Sequence, residues 1–277
     1  VSGQKTKVLI LVKTYPTLST KYSELVCTAG IREDGTWIRI YPVPFRLLER
    51  EKKYKKYQWI EADLIKSKSD PRPESFKIAN IDSLKLLDVI DSKDNWAKRK
   101  MLLAKTPVFQ DLKKLIACAK DNTLSLGILK PSEIKDFIIE NSEREWDKKK
   151  VAKIKFDIKQ PSLFSTEEEK LAKETFELVP KVPYKFSYRL ADAKGNESTM
   201  MIEDWEIGQL YWNCLKLADG NEQRACEKIR QKYFEEFKNK DLLLFLGTTR
   251  QFHSIAPNPF LIIGIFYPPK STKDQSE

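Results

Sequence analysis

One histidine, His253, and four cysteines are all that 277 residues offer of the commonest metal-binding and thiol chemistry. Cys27, Cys118, Cys214 and Cys226 form no CxxC pair, and their spacing to the histidine fits no zinc site. They read as reduced core residues of an intracellular protein. A Walker loop, a GxGxxG turn and a GxSxG elbow are all missing, which removes the usual phosphate-cradle and nucleophile signatures. No apolar run reaches the roughly 18–20 residues of a membrane helix, and no signal-peptide pattern is recognisable. The expectation is a cytoplasmic protein without membrane contact, cofactor or metal. Long Gly/Ser/Pro linkers are also lacking, so the parts of the chain are expected to merge into one domain.

What is present is charge. The chain is 41% apolar, 11% aromatic and 32% charged, with a net charge of +10. The excess is uneven: residues 1–80 hold 16 lysines and arginines against 9 acids, whereas residues 81–180 hold 20 against 18 and residues 181–277 hold 14 against 13. A basic N-terminal part points to nucleic acid, DNA or RNA, or to another polyanion.

Residues 5–80 read as β-rich. KVLILVKTY (7–15) is an apolar run of strand length, SELVCTAGI (23–31) a second strand, and Asp34-Gly35 a hairpin turn. Beyond it Trp37, Arg39 and Tyr41 alternate with Ile38 and Ile40, and Pro42 and Pro44 end the strand. YQWIEADLIKS (57–67) is a fourth strand, followed by an exposed turn, SDPRPESFKI. Residues 81–175 read as a helical middle and a charged linker, with Leu112, Leu115, Ile116 and Ala119 on one stripe and a capping box at Thr166 and Glu169. Residues 176–270 read as an α+β part. YKFSYRL alternates, and Ile207, Leu210, Tyr211, Cys214 and Leu215 mark a core-facing helix. Cys226, Ile229, Tyr233 and Phe237 mark a second, and DLLLFLG and PFLIIGIFY are strands buried on both faces. No internal sequence repeat is visible.

The connector KTYPTLSTKYSELVCTAG (13–30) brings Lys13, Tyr15, Lys21 and Tyr22 between two strands, and Arg39, Tyr41 and Arg46 follow on the hairpin. Lysine and arginine neutralise phosphate while tyrosine rings stack on bases, so this interleaving suits nucleic acid. Arg72, in a rigid DPRPES turn, is a further candidate phosphate contact. LGTTRQFHSIAPNPF places Thr248, Thr249, Arg250, Gln251, His253 and Asn258 on a loop between two apolar strands, a candidate recognition surface. In IEDWEIG, Glu203, Asp204 and Glu206 surround a tryptophan. Such carboxylates hold a divalent metal or act as acid and base, but acids at a helix start are favoured by its dipole in any case.

KTYPTLSTKYSELVCTAG, GTWIRIYPVPFR, IEDWEIGQLYW and GTTRQFHSIAPNPFLIIGIFYPP together resemble blocks of a widespread, uncharacterised bacterial protein family. In that family the turn before the DWE block resembles a zinc knuckle, whereas here ADAKGNES has neither cysteine nor histidine. The β pattern with its basic hairpin is also similar to base-reading domains of the PUA type.

The fold expected is α+β: an N-terminal curled mixed sheet or partial barrel, a helical middle, and a C-terminal sheet with two packed helices. The function expected is nucleic-acid binding through the N-terminal sheet, by a base-reading module working with partner proteins rather than by an enzyme. Two alternatives stay open. One is a metal-dependent nuclease or hydrolase in which Asp204, Glu206 and His253 converge; the other is a non-catalytic subunit of a larger bacterial assembly.

Overall fold

The unbroken apolar run from Val8 to Val12 lies in β1 (Gln4–Lys13) and is buried throughout. Val8 and Ile10 enter one core, while Leu9, Leu11 and Val12 enter another. Neighbours on a strand point to opposite faces, so a strand with a core on either side shows no polar alternation. The computed structural model, which describes residues 3–20, 23–159 and 177–270, identifies both cores.

The first is the inside of a barrel. After β1 come the short β2 (Thr17–Ser19), β3 (Ser23–Ile31), β4 (Trp37–Val43), β5 (Gln58–Lys66) and β6 (Ser75–Ile78). The sheet runs β1-β3-β4-β6-β5 and closes through antiparallel pairing of β1 with β5. All pairings in this ring are antiparallel except β4 with β6, which is parallel. β2 folds back on β3, and β7 (Lys85–Val89) pairs with the start of β5. The expected hairpin turn stands: Gly35 has φ 85, a conformation costly for residues with a Cβ, and Asp34 Oδ1 accepts from the Thr36 N–H at 2.9 Å. Val8, Ile10, Val26, Ile38, Ile40, Ile60 and Leu64 fill the interior.

Next come α1 (Lys93–Leu103), β8 (Val108–Phe109), α2 (Leu112–Lys120), β9 (Leu126–Leu129) and β10 (Glu133–Asn141). α3 (Lys148–Lys159) precedes β11 (Tyr184–Ala191) and β12 (Glu197–Met201). α4 (Trp205–Leu217), α5 (Glu222–Arg230), β13 (Leu243–Thr248) and β14 (Phe260–Phe266) complete the order. The expected α+β class holds. The stretch read as a helical middle holds α1, α2 and α3 together with strands at 85–89, 108–109, 126–129 and 133–141. Thr166 and Glu169 lie outside the described residues.

The C-terminal strands repeat the plan of the N-terminal ones. β9 and β10, separated by three residues, act as one broken first strand: β9 pairs with β13 and β10 with β11. β1 does the same, pairing with β5 through its first half and β3 through its second. β11 pairs with β12, β14 with β13, and a parallel bridge between Ile202 and Ile262 joins the end of β12 to β14. The Glu203 N–H donates to the Ile262 carbonyl at 2.8 Å beside it. Counting five strands in each half, both follow the order 1-2-3-5-4-1, with strands 3 and 5 parallel. The repeat invisible in the sequence is therefore a repeat of topology.

The second core of β1 is the seam between these barrels. Leu9, Leu11, Val12, Ala29 and Ile31 meet Leu126, Ile128, Phe245, Ile263 and Phe266. Burying each of the larger side chains contributes about 1.5–3 kcal/mol. The third cluster, with Phe137, Phe186, Tyr188, Leu244 and Ile262, fills the second barrel beneath α2, α4 and α5.

Candidate nucleic-acid interface

The connector after β1 is committed to the seam. Thr14 bridges to Asp204, and the Tyr15 N–H donates to the Glu203 carbonyl. Tyr15 Oη donates to the Pro180 carbonyl at 2.9 Å and accepts from Trp212 Nε1 at 2.8 Å. Its ring lies on Gly208 of α4, where a Cβ would stand 2.2 Å from the tyrosine Cδ2. Lys13 Nζ sits 4.5 Å from the Phe45 ring centroid and 5.2 Å from that of Trp205, and donates to the Tyr54 carbonyl at 3.4 Å. Burial pushes its ammonium down to about 8, against the pull of Glu206 and Asp204. Lys21 and Tyr22 lie outside the described residues.

Arg39 and Tyr41 do not share an exposed face. Tyr41 is 39% exposed, whereas Arg39 is 2% exposed. The Arg39 guanidinium donates to Ser125 Oγ at 2.5 Å and to the Ser125 and Thr248 carbonyls at 3.1 and 3.4 Å, crossing from the first barrel to the second. Arg72 is buried beside it, donating to both oxygens of Asp70 and to the Thr248 carbonyl. Burial would push the Asp70 carboxyl up, but Arg72 and the Ser75 hydroxyl hold it down to about 2. Arg46 donates to both oxygens of the buried Glu24 at 2.7 and 2.9 Å. As phosphate contacts Arg39 and Arg72 are therefore corrected: each is spent inside the protein, because a buried guanidinium must find partners for its donors.

The acids and the histidine belong to different clusters. Asp204 caps α4, accepting from the Glu206 N–H, and shares Lys56 with Glu206 at 3.4 and 2.7 Å. Burial raises the Asp204 carboxyl to about 6 despite Lys56, while the two carboxylates hold Lys56 protonated against burial. His253 is buried in the other network, with Nδ1 2.9 Å from Thr248 Oγ1 and Nε2 3.0 Å from Asn122 Oδ1. With the amide oxygen facing Nε2, the neutral ring donates there and accepts the threonine hydroxyl at Nδ1. Burial, then Arg72 and Arg39, lower its basicity further. Asp204 and His253 thus share no polar partner among the described residues. Among the described residues no group of three metal-ligating side chains converges.

The face left open is on the second barrel. Strands 2 and 3 of the first barrel, β3 and β4, are buried or half-buried at every residue but Tyr41. Their counterparts β11 and β12 are half open. Phe186, Tyr188, Leu190 and Met200 enter the core, while Lys185, Arg189 and Thr199 are exposed and Met201 is half-buried. Arg189 faces Thr199 across the strands, and Ser187 faces Met201. β10 sets Glu140 and Asp136 opposite Lys185 and Arg189, so the floor itself is mixed in charge.

One loop borders this floor. The loop from β13 to β14 exposes Arg250, Gln251 and Phe252, leaves Thr249 half-buried, and is pinned to β12 by Asn258 Nδ2 donating to Ser198 Oγ at 3.1 Å. The connection from β10 to β11 carries α3, which packs against β2 of the first barrel and whose residues 148–156 include Lys148, Lys149, Lys150, Lys153 and Lys155. Ile154 anchors this helix in the protein, with 1% exposure, and Phe156 is 63% exposed. The sequence offered a signal for α3, a lysine every one to three residues around a single buried isoleucine, but the surrounding acids made the region read as a linker.

Comparison with known families places the chain. Residues 4–105 match the model of a domain of unknown function, DUF8758, and residues 105–277 that of a second domain of unknown function, DUF8757. The chain belongs to the DUF8757 family. In it, the DUF8757 stretch holds the whole second barrel and the DUF8758 stretch the whole first. Among curated proteins no significant sequence match is found. The crystal structure of the p204 HINb domain aligns with 97% of this chain and 98% of its own, at 10% identity and a TM-score of 0.32. At that score the likeness supports no inference about fold or function.

Proposed function

We propose that the protein binds nucleic acid, and that its contact surface is the open face of the second barrel. The observation that carries this reading is the strand order. A five-stranded barrel ordered 1-2-3-5-4-1 is the arrangement of the OB fold, which binds oligonucleotides and oligosaccharides on strands 2 and 3 and the loops beside them. That step is an analogy of fold. The net charge of +10 and the lysines of α3 favour the nucleotide over the sugar. The positions that bind in such a barrel are more exposed in the second barrel than in the first, which moves the surface from the N-terminal sheet to β11, β12, α3 and the Thr249–Pro259 loop.

The test is fluorescence anisotropy with labelled DNA and RNA, single and double stranded, across a salt series. Binding at micromolar protein or below in low salt, weakening steeply as salt rises, is the expected result. If no oligonucleotide binds at low salt, the nucleic-acid reading fails and a subunit of a larger assembly becomes the better account. The hydrolase reading has less support, since Asp204 and Glu206 are neutralised by Lys56 while His253 is held elsewhere.

A further inference from the structure

We infer that Arg39 and Arg72 of the first barrel, with His253, are positioning residues for the β13–β14 loop, locking it in the form in which Arg250, Gln251 and Phe252 meet the nucleic acid. The inference rests on the nucleic-acid reading above and goes further by giving buried cations of the first barrel a part in binding at the second.

The loop is fixed where it leaves β13. The Thr248 carbonyl accepts from Arg39 Nη2 at 3.4 Å and from Arg72 Nη1, two guanidiniums of the other barrel. The Thr248 N–H donates to the Ser125 carbonyl at 3.0 Å, and its hydroxyl lies 2.9 Å from His253 Nδ1. His253 carries the contact on to Asn122, whose Nδ2 donates to the Pro71 carbonyl at 3.2 Å, so this path also ends in the first barrel. Every polar atom of Thr248 is held. One neutral donor would satisfy its carbonyl, and burying two guanidiniums there costs more desolvation than that carbonyl returns. What such a network supplies is a single geometry.

The rest of the loop is tied as well. The Phe252 carbonyl accepts from the Ile255 and Ala256 N–H groups at 3.3 and 3.1 Å, closing a turn. Asn258 joins the far end to β12, donating to Ser198 Oγ and accepting from the Phe260 N–H, both at 3.1 Å. Between these ties Arg250, Gln251 and Phe252 stand exposed, a cation, an amide and a ring in succession. An arginine meets phosphate, while an amide and a ring meet the edges and faces of bases. Side chains on an ordered loop lose less entropy on binding, so the lock raises affinity without touching the ligand.

Asn122 is the place to open the lock, because its φ of 53 suits glycine and Asn122→Gly removes the side chain without backbone strain. Limited trypsin digestion with mass spectrometry reads cleavage after Arg250, and anisotropy with a labelled oligonucleotide across a salt series reads binding. Asn122→Gly is expected to speed cleavage after Arg250 about tenfold relative to other sites, and to weaken binding about tenfold with the salt slope unchanged. Asn122→Asp keeps an acceptor facing His253 Nε2 and should restore both. Arg39→Lys keeps the charge but loses the fork that joins Ser125 to Thr248, and should act as Asn122→Gly does. If Asn122→Gly and Arg39→Lys leave cleavage after Arg250 and affinity at the parent's values, the lock is overturned while the nucleic-acid reading stands. If cleavage rises and affinity does not, the loop is fixed for folding alone and the inference is equally overturned. If the parent binds no oligonucleotide, the nucleic-acid reading fails and takes this inference with it.

Discussion

Two barrels of one strand order meet opposite fates in this chain. In the first, strands 2 and 3 leave only Tyr41 exposed; in the second, the same pair exposes Lys185, Arg189, Glu197 and Thr199. The first barrel carries most of the net charge, yet several of its cations are spent inward. Arg39 and Arg72 hold the Thr248 carbonyl, Arg46 holds Glu24, and Lys56 holds Asp204 and Glu206. Counting charge along a sequence does not say where charge is displayed. A domain that is basic by composition can serve as scaffold while its less charged neighbour presents the surface.

The sharpest way to break this comparison is at Arg39. Arg39→Ala removes the buried cation that links Ser75 and Ser125 to the Thr248 carbonyl, leaving a cavity and a network held only by Asp70, Arg72 and Glu74. The expected loss is about 3 kcal/mol of stability, measured by denaturant unfolding, with the salt slope of oligonucleotide binding unchanged. A flattened slope in a stably folded variant would return the surface to the first barrel.

The next largest effect is expected at the seam. In Gly208→Ala the new methyl would overlap the Tyr15 ring, with its Cβ 2.2 Å from Cδ2 and 2.4 Å from Cε2. Overpacking of this kind costs about 1–3 kcal/mol. If the seam fixes one barrel against the other, the variant should melt earlier, and pairing it with Tyr15→Ala should recover part of the loss. Unchanged melting would mean that the connector yields readily.

Replacing Lys149, Lys153 and Lys155 together by alanine sharpens the comparison on the other side. Each phosphate contact contributes about 0.7 to the log–log salt slope for a single strand. The triple variant should flatten the slope by about 2 and leave stability close to that of the parent, since all three lysines are exposed. An unchanged slope would remove α3 from the interface.

These contrasts show what a sequence discloses. Strand-scale features were legible where a local rule governs them. The Asp34-Gly35 turn, the strands at β3 and β5, and the α4 stripe through Ile207 and Tyr211 all follow from local pattern and turn chemistry. β9 and β10 were not, because Leu126–Leu129 is too short to show a period and follows directly on the amphipathic α2. The site was half legible. The Thr248–His253 loop and the aromatic connector stood out by composition, but whether Arg39 points to solvent or to Ser125 depends on a partner 86 positions away. Alternation on β4 says that Arg39 and Tyr41 share a side of the strand. It cannot say that another barrel covers one end of that side.

The smallest effect is expected at Lys13, and its sign is informative. Burial holds the Lys13 ammonium down to about 8, below the ordinary 10.5. The folded protein therefore releases this proton more readily than the unfolded chain, which binds more protons between about pH 8 and 10.5. Stability attributable to this group is lowest below pH 8 and rises with pH across that window. Lys13→Met keeps the apolar stem against Phe45 and Trp205 and removes the buried charge. At pH 7 the variant should be as stable as the parent or more so, by about 1 kcal/mol, since a well-packed apolar side chain often outperforms a buried ion. The advantage should shrink as the pH approaches 10. Oligonucleotide affinity should stay within about twofold, because a cation roofed by two rings and facing Glu206 and Asp204 is a poor phosphate contact. A tenfold loss of affinity with a flattened slope would mean that the seam opens to admit the ligand, and the first barrel would then be half of the binding surface rather than its support.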